Sequence, residues 1–219
     1  TVCEGHLVMI PKGKDVAPEP IAHRPLTLTN LGYRLWSTRR VRQSATLLRS
    51  WVPERVVGGL PGCGPEDIWG EIALRAEVAT EEDGLLAGVS TDLWKFYDLV
   101  HPALAIRLLT LVGFHPRLAS ALGRFYKDLV RALSLEGATG KFFSSSQAIL
   151  QGCAFSNLLQ LVYGVLWSLW ISASTRCVPY CYADAWYFLV DRFALRGPPG
   201  GEAAEQAQNL QAAADAQSA

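Results

Sequence analysis

The sequence predicts an α+β fold, and three observations carry that prediction. Strand-type runs occur early, as "LVMIP" at 7–11, and in mid-chain, as "GLLAGVSTD" at 84–92. Between and after them lie segments of helical periodicity with recognisable start signals. Near the end, "VPYCYA" and "WYFLV" flank Asp184 as a tight antiparallel hairpin. Half of the 219 residues are hydrophobic and only 18% are charged, so the bulk of the chain has the material for a packed core.

Taken in order, the strand at 7–11 leads into a Pro-rich loop, "KGKDVAPEPIAHRP". Thr29 and Asn30 are good N-cap types, and a helix is expected from there to about Trp51. Leu31, Leu35, Ala45 and Leu48 would form its apolar face, with the arginines largely elsewhere. After the Gly-rich turn "VVGGLPGCGPED", Pro65 with Glu66 and Asp67 behind it starts a helix to about Ala79. Residues 84–92 read as a buried strand ending on an acid. Pro102 opens a helix to about Val112. Pro116 opens another, with Leu118, Leu122, Phe125 and Leu129 at helical spacing. A hairpin is expected around Ala138–Gly140. From Phe142 to Thr175 no residue is charged, and "NLLQLVYGVLWSLWISAS" is long enough either for a buried core helix or for a membrane span. From Arg196 the chain turns to Gly/Pro and then Ala/Gln, with too little apolar surface to offset ordering entropy, and a disordered or weakly helical tail is expected over 196–219.

Formal net charge is zero, so no whole-chain field selects a polyanion. The first 55 residues are different, with nine Lys/Arg against four acids. This basic footprint suits nucleic acid, and equally suits a solvated helix face. The five cysteines form no CxxC pair and no Cys/His cluster, which argues against zinc and for reduced thiols in an intracellular protein. The chain opens on Thr1 without a signal-peptide pattern and reads as a fragment.

Two acids stand at strand ends: Asp92 closes "LLAGVSTD" and Asp184 sits on the hairpin tip. An antiparallel sheet can bring two such ends together. Converging carboxylates make a site for hard divalent cations. Two cations about 4 Å apart clamp the attacking and leaving oxygens of a phosphoryl displacement. An acid after a strand also serves as an ordinary cap or turn residue, and the pair alone does not decide between these.

Four motifs occur in order: "PKGK…RPLTLTN…YR", "DLWKFYD", "LQGCAFSNLL" and "YADA". Together they resemble the reverse transcriptase family, in its non-LTR retrotransposon and group II intron branch, over residues 7 to 192. The resemblance implies a right-hand polymerase core: fingers over 1–84, and a palm over 85–195 whose antiparallel sheet is backed by helices. It implies an RNA-directed DNA polymerase with an RNA template, a DNA primer and dNTPs as partners, Mg²⁺ (or Mn²⁺) as cofactor, and no membrane. Asp92 and Asp184 match the metal-ligating, catalytic acids, and Leu93 would lend a backbone carbonyl. Tyr97 matches the aromatic gate beneath the nucleotide sugar. Gln151 and Gly152 match the nucleotide and template contact, and Lys12 and Arg24 the cations that hold the triphosphate. Arg34, Arg39, Arg40 and Arg42 would meet template backbone.

The sequence departs from the family pattern at three places. Ala185 replaces the second acid of the Tyr-Ala-Asp-Asp signature, which implies weaker metal binding or a slower rate. Ala148 stands where Gly commonly precedes the Gln by three. After about Asp191 the next palm motif and the thumb are not recognisable. A retroelement remnant without polymerase activity is therefore the alternative reading, and a membrane-anchored helical protein a second one.

Overall fold

The computed structural model describes residues 3–13, 22–135, 138–191, 208–212 and 215. Most of the tail expected over 196–219, and residues 14–21 of the Pro-rich loop, lie outside them. In chain order the elements are β1 (Glu4–Pro11), β2 (His23–Thr29), α1 (Leu31–Gln43), α2 (Ala45–Trp51), α3 (Pro65–Glu81), β3 (Leu86–Asp92), α4 (Phe96–Leu99), α5 (Pro102–Leu111), α6 (Pro116–Asp128), β4 (Val130–Leu135), β5 (Ala138–Thr139), β6 (Phe143–Ser144), α7 (Ala154–Ser174), β7 (Val178–Tyr182) and β8 (Ala185–Asp191). This is the α+β composition expected. The chain divides into two compact units, each made of two stretches: Thr1–Ser44 with Lys95–Leu159, and Ala45–Trp94 with Gln160–Ala219. The boundary expected between residues 84 and 85 falls inside the second unit.

In the first unit β1 pairs antiparallel with β2 and parallel with β4, giving the order β2-β1-β4-β5, with β6 also on β4. The Asn30 side chain caps α1, accepting the Gly32 N–H at 2.8 Å. Two expectations for this helix are corrected. It does not run to Trp51: it stops at Gln43, where the Ser44 hydroxyl donates back to the Arg40 carbonyl at 2.9 Å, a bond that bends and interrupts helices. Nor do Leu31 and Leu35 face the core, since they are 66% and 64% exposed. The buried stripe is Tyr33, Ser37 and Val41, four residues apart, and Tyr33 stacks on Phe125 of α6 at 3.7 Å between ring centres. Ser37 is tolerated there because its hydroxyl donates to the Arg34 carbonyl.

The second unit is built on a three-stranded antiparallel sheet, β3-β8-β7. Period-two alternation sends its side chains to opposite faces. Tyr180 and Leu189 join Val57 and Ile68 of α3 in one core cluster. Trp186 and Phe188, of opposite parity, pack against Trp167 of α7. Both faces are covered, which is why "VPYCYADAWYFLV" reads as one apolar run broken only by Asp184. The strand at 86–92 is not fully buried as expected; its residues alternate between half-buried and exposed. α7 is long and apolar enough to cross a membrane by length and composition, but two thirds of its apolar window is buried within the protein, as in a core helix.

One charged network locks this unit. Arg55 donates to Glu71 Oε1 through Nε (2.8 Å) and lies 2.7 Å from it through Nη2; Arg75 Nε (3.1 Å) and the Tyr180 hydroxyl (3.1 Å) donate to the same oxygen. Burial pushes the Glu71 carboxyl up, but the bonds and charge from Arg55, with Arg75 and Tyr180 behind it, outweigh this and hold it below the usual carboxylate range. A carboxylate whose folded pKa is depressed adds stability above its unfolded pKa, about 4.3. That stability is lost as pH falls through the folded value. The urea midpoint of the wild type should therefore drop between about pH 5 and pH 3. Glu71→Gln should be less stable at pH 7 by about 1–2 kcal/mol and flatter over that range. Equal acid slopes for the two proteins would refute the assignment.

Candidate active site

The hairpin β7–β8 closes through a two-residue turn, Ala183–Asp184, with Tyr182 opposite Ala185. Such turns need a positive φ, and Ala183 supplies it at 52°. The turn is fixed by the Trp186 indole, which donates to the Ala183 carbonyl at 2.9 Å. On the neighbouring strand, β3 pairs with β8 so that Asp92 lies opposite Ala185. The ladder then continues past the strand end, where the Leu93 N–H donates to the Asp184 carbonyl at 3.0 Å. Asp92, at the end of β3, and Asp184, in the β7–β8 turn, thus share one sheet rim, the first exposed and the second half-buried. Beneath the turn, burial and the Asp184 charge push the Cys181 thiol well up, so it stays neutral and packs as an apolar group.

Sequence reasoning missed the residues that hold this turn in place. The segment 55–58 runs alongside β7: the Cys181 N–H donates to the Arg55 carbonyl at 2.8 Å, and the Val57 N–H donates to the Cys181 carbonyl at 3.0 Å. Gly58 then meets the turn so closely that a Cβ there would fall on the backbone nitrogen of Ala183. Gly164 makes room for the Cys181 sulfur in the same way. The only signal in the sequence was the Gly-rich string itself, which also fits an ordinary turn.

The remaining predicted site residues belong to the first unit. Lys12 and Arg24 lie at the loop end of the β1–β2 hairpin, where Ile10 pairs with Arg24 and the Lys12 N–H donates to the Ala22 carbonyl at 3.2 Å. Both are exposed. The Tyr97 carbonyl accepts the Ile149 N–H at 2.8 Å, and the Tyr97 hydroxyl donates to Asn157 at 3.4 Å. The Gln151 carbonyl accepts the Thr27 N–H at 3.3 Å. Tyr97, the Gln151–Gly152 loop and β2 are thereby tied together. Gly152 has φ +90°, and a Cβ on it would reach 2.5 Å from Leu26, so no other residue fits without strain. The loop hangs from Tyr126, whose buried hydroxyl accepts the Leu150 N–H and shares a hydrogen bond with Ser156, each at 3.3 Å. Tyr126 is a second positioning residue missed from sequence. Ala148 adopts φ +77°, a left-handed conformation that costs a non-glycine residue about 1–2 kcal/mol, which explains why glycine suits that place. Arg34, Arg39, Arg40 and Arg42 are all exposed along α1.

The acid pair could serve as a donor set for a hard cation. Two carboxylates suffice for Mg²⁺, which keeps several waters or takes phosphate oxygens for its remaining positions. Among the described residues no cluster of three or more His, Cys, Asp or Glu forms a closed metal cage.

Comparison with known proteins adds the fold. No family model and no curated protein matches the sequence. Solved structures do match. Apo telomerase from Candida tropicalis is similar with a TM-score of 0.60 at 13% identity, over 100% of this chain and 42% of that one. The RNA-dependent RNA polymerase of a human picobirnavirus is similar with a TM-score of 0.51 at 17% identity, over 95% of this chain and 38% of that one. The fold is that of right-hand polymerase fingers and palm. At such identities the likeness concerns the fold alone. The chain spans roughly two fifths of the length of either polymerase. The antiparallel β3-β8-β7 sheet is backed by helices, α3 on one face and α7 on the other, in keeping with the α+β fold expected.

Proposed function

We propose that this chain is the fingers–palm core of an RNA-directed DNA polymerase of the non-LTR retrotransposon and group II intron branch. The observation that carries the reading is the register that sets Asp92 opposite Ala185 and bonds Leu93 to Asp184 at one palm rim. Asp92 and Asp184, with the Leu93 carbonyl, would hold Mg²⁺, which when bound neutralises charge on the phosphates during in-line displacement. Lys12 and Arg24 would grip the triphosphate through charge-assisted bonds. Tyr97 would sit beneath the sugar and disfavour a 2′-hydroxyl, selecting dNTPs. Gln151 and Gly152 would let backbone approach the nascent pair closely. The primer 3′-hydroxyl would attack the α-phosphate with pyrophosphate leaving.

A specific observation favours the second reading, a polymerase fold without catalysis. The residue facing Asp92 across the ladder is Ala185, so a methyl group stands where a further carboxylate would reinforce the cation site. Primer extension on an RNA template with Mg²⁺ or Mn²⁺ separates the two. The wild type is expected to extend slowly, and Ala185→Asp to extend faster and at lower Mg²⁺. No extension by either protein would establish the inactive reading.

A further inference from the structure

We propose that the groove between α1 and α6, in the fingers-bearing first unit, binds single-stranded nucleic acid through its phosphates and one stacking tryptophan. The groove holds two adjoining cavities, of about 410 Å³ and 470 Å³, that share Trp36 and Ala121 as their common wall. The first is lined by Arg40, His115 and Arg117, and the second by Arg124. Across the two helices there are seven Lys/Arg and a single acid, Asp128, which lies at the far end of the second cavity beside Cys3. Among the described residues none of Arg40, Arg117 and Arg124 forms an ion pair. Among the described residues the Arg40 guanidinium is held by Gln43 alone, through Nη1 at 3.0 Å.

The polar groups point to phosphate. His115 Nδ1 accepts the Arg117 N–H at 3.1 Å, so Nδ1 carries no proton and Nε2 of the neutral ring is left as a donor. The positive end of the α6 dipole opens on the same cavity. Arg117 and Arg124 are two turns apart on α6, about 10 Å, one to each cavity. Trp36 between them is half-buried, braced by Phe155 at 5.3 Å and Tyr33 at 5.8 Å between ring centres. A braced indole flanked by cations is the arrangement on which bases stack while the backbone follows the charge. A duplex offers no free base to the indole, so the occupant is a single strand. The groove uses neither Asp92 nor Asp184; of the residues that the polymerase reading invokes it includes only Arg40, and Trp36, His115, Arg117 and Arg124 are additional to that reading.

The test is fluorescence anisotropy of a labelled oligothymidylate against salt. The triple variant R40Q/R117Q/R124Q replaces exposed side chains and should fold normally. Its affinity at 0.1 M salt is expected to fall at least about tenfold, and its slope of log K against log salt to shrink by about 2, since each single-strand phosphate contact contributes about 0.7. Arg107→Gln, on α5 outside the groove, should change neither quantity. Ultraviolet crosslinking of the same oligonucleotide should attach to peptides containing Trp36 or His115. D92N/D184N should bind as tightly as wild type even though extension is lost, so failure of the polymerase reading leaves this result intact. Unchanged salt slopes in the triple variant, crosslinks confined to other elements, or competition by polyglutamate equal to that by the oligonucleotide would each overturn the proposal.

Discussion

Asp184→Asn is expected to lower primer extension at least about a hundredfold, and Asp92→Asn to do the same, a loss comparable with removal of one charge-stabilising group from a phosphoryl- or acyl-transfer site. The substitution is nearly isosteric. It leaves the Asp184 backbone carbonyl free to accept the Leu93 N–H, and it leaves the Trp186 indole bonded to Ala183. Folding should be untouched, with melting temperatures within a degree or two of wild type. What changes is charge: one of the two carboxylates that would hold the cation on the proposed reading disappears. Manganese binding, followed by water-proton relaxation, should therefore weaken in step with activity and independently of it as a readout. Wild-type extension and wild-type manganese affinity in Asp184→Asn would remove Asp184 from the site.

The places of Asp92 at a strand end and of Asp184 at a hairpin tip were legible in the sequence because strand alternation is local information. The tip of "VPYCYADAWYFLV" and the end of "GLLAGVSTD" can be placed without knowing what packs on them. Features set by distant partners were not legible. The face of α1 was misread because Leu31 and Leu35 look like core residues, whereas the packing of Tyr33 on Phe125 turns that face outward. The parallel pairing of β1 with β4 joins strands between which the chain leaves the first unit and returns, and leaves no local mark. Tyr126 and Ser156 carry no sequence signal that ties them to each other. Only their shared bond under Leu150 makes them supports of the Gln151–Gly152 loop. Glu71 likewise carries no local mark, because Arg55 and Tyr180 reach it from other elements.

Gly58→Ala carries the largest structural effect expected. The added methyl would overlap the backbone of the turn, lying on the Ala183 nitrogen, 2.9 Å from the Tyr182 carbonyl carbon and 3.0 Å from the Ala183 Cα. Side chains can swing away from such a contact, but backbone already fixed by ladder bonds cannot. The Cys181 carbonyl accepts from Val57 and Gly58 while the Cys181 N–H donates to Arg55, so moving either segment breaks bonds in the other. A cost of about 3 kcal/mol follows for overpacking against unyielding backbone. In a chain of this size that lowers the melting temperature by roughly 6–12 °C. Gly70→Ala is the internal control: it lies within α3 with nothing inside 4 Å of the new methyl, and should gain about 0.5–1 kcal/mol from helix propensity. The two glycine-to-alanine changes should thus move the melt in opposite directions. Because the clash falls on the residue preceding Asp184, Gly58→Ala should also lose extension activity at temperatures where it remains folded. A variant that melts with the wild type would mean that the turn is not seated on residues 55–58, and that Asp184 owes its place at the rim to the β3–β8 ladder alone.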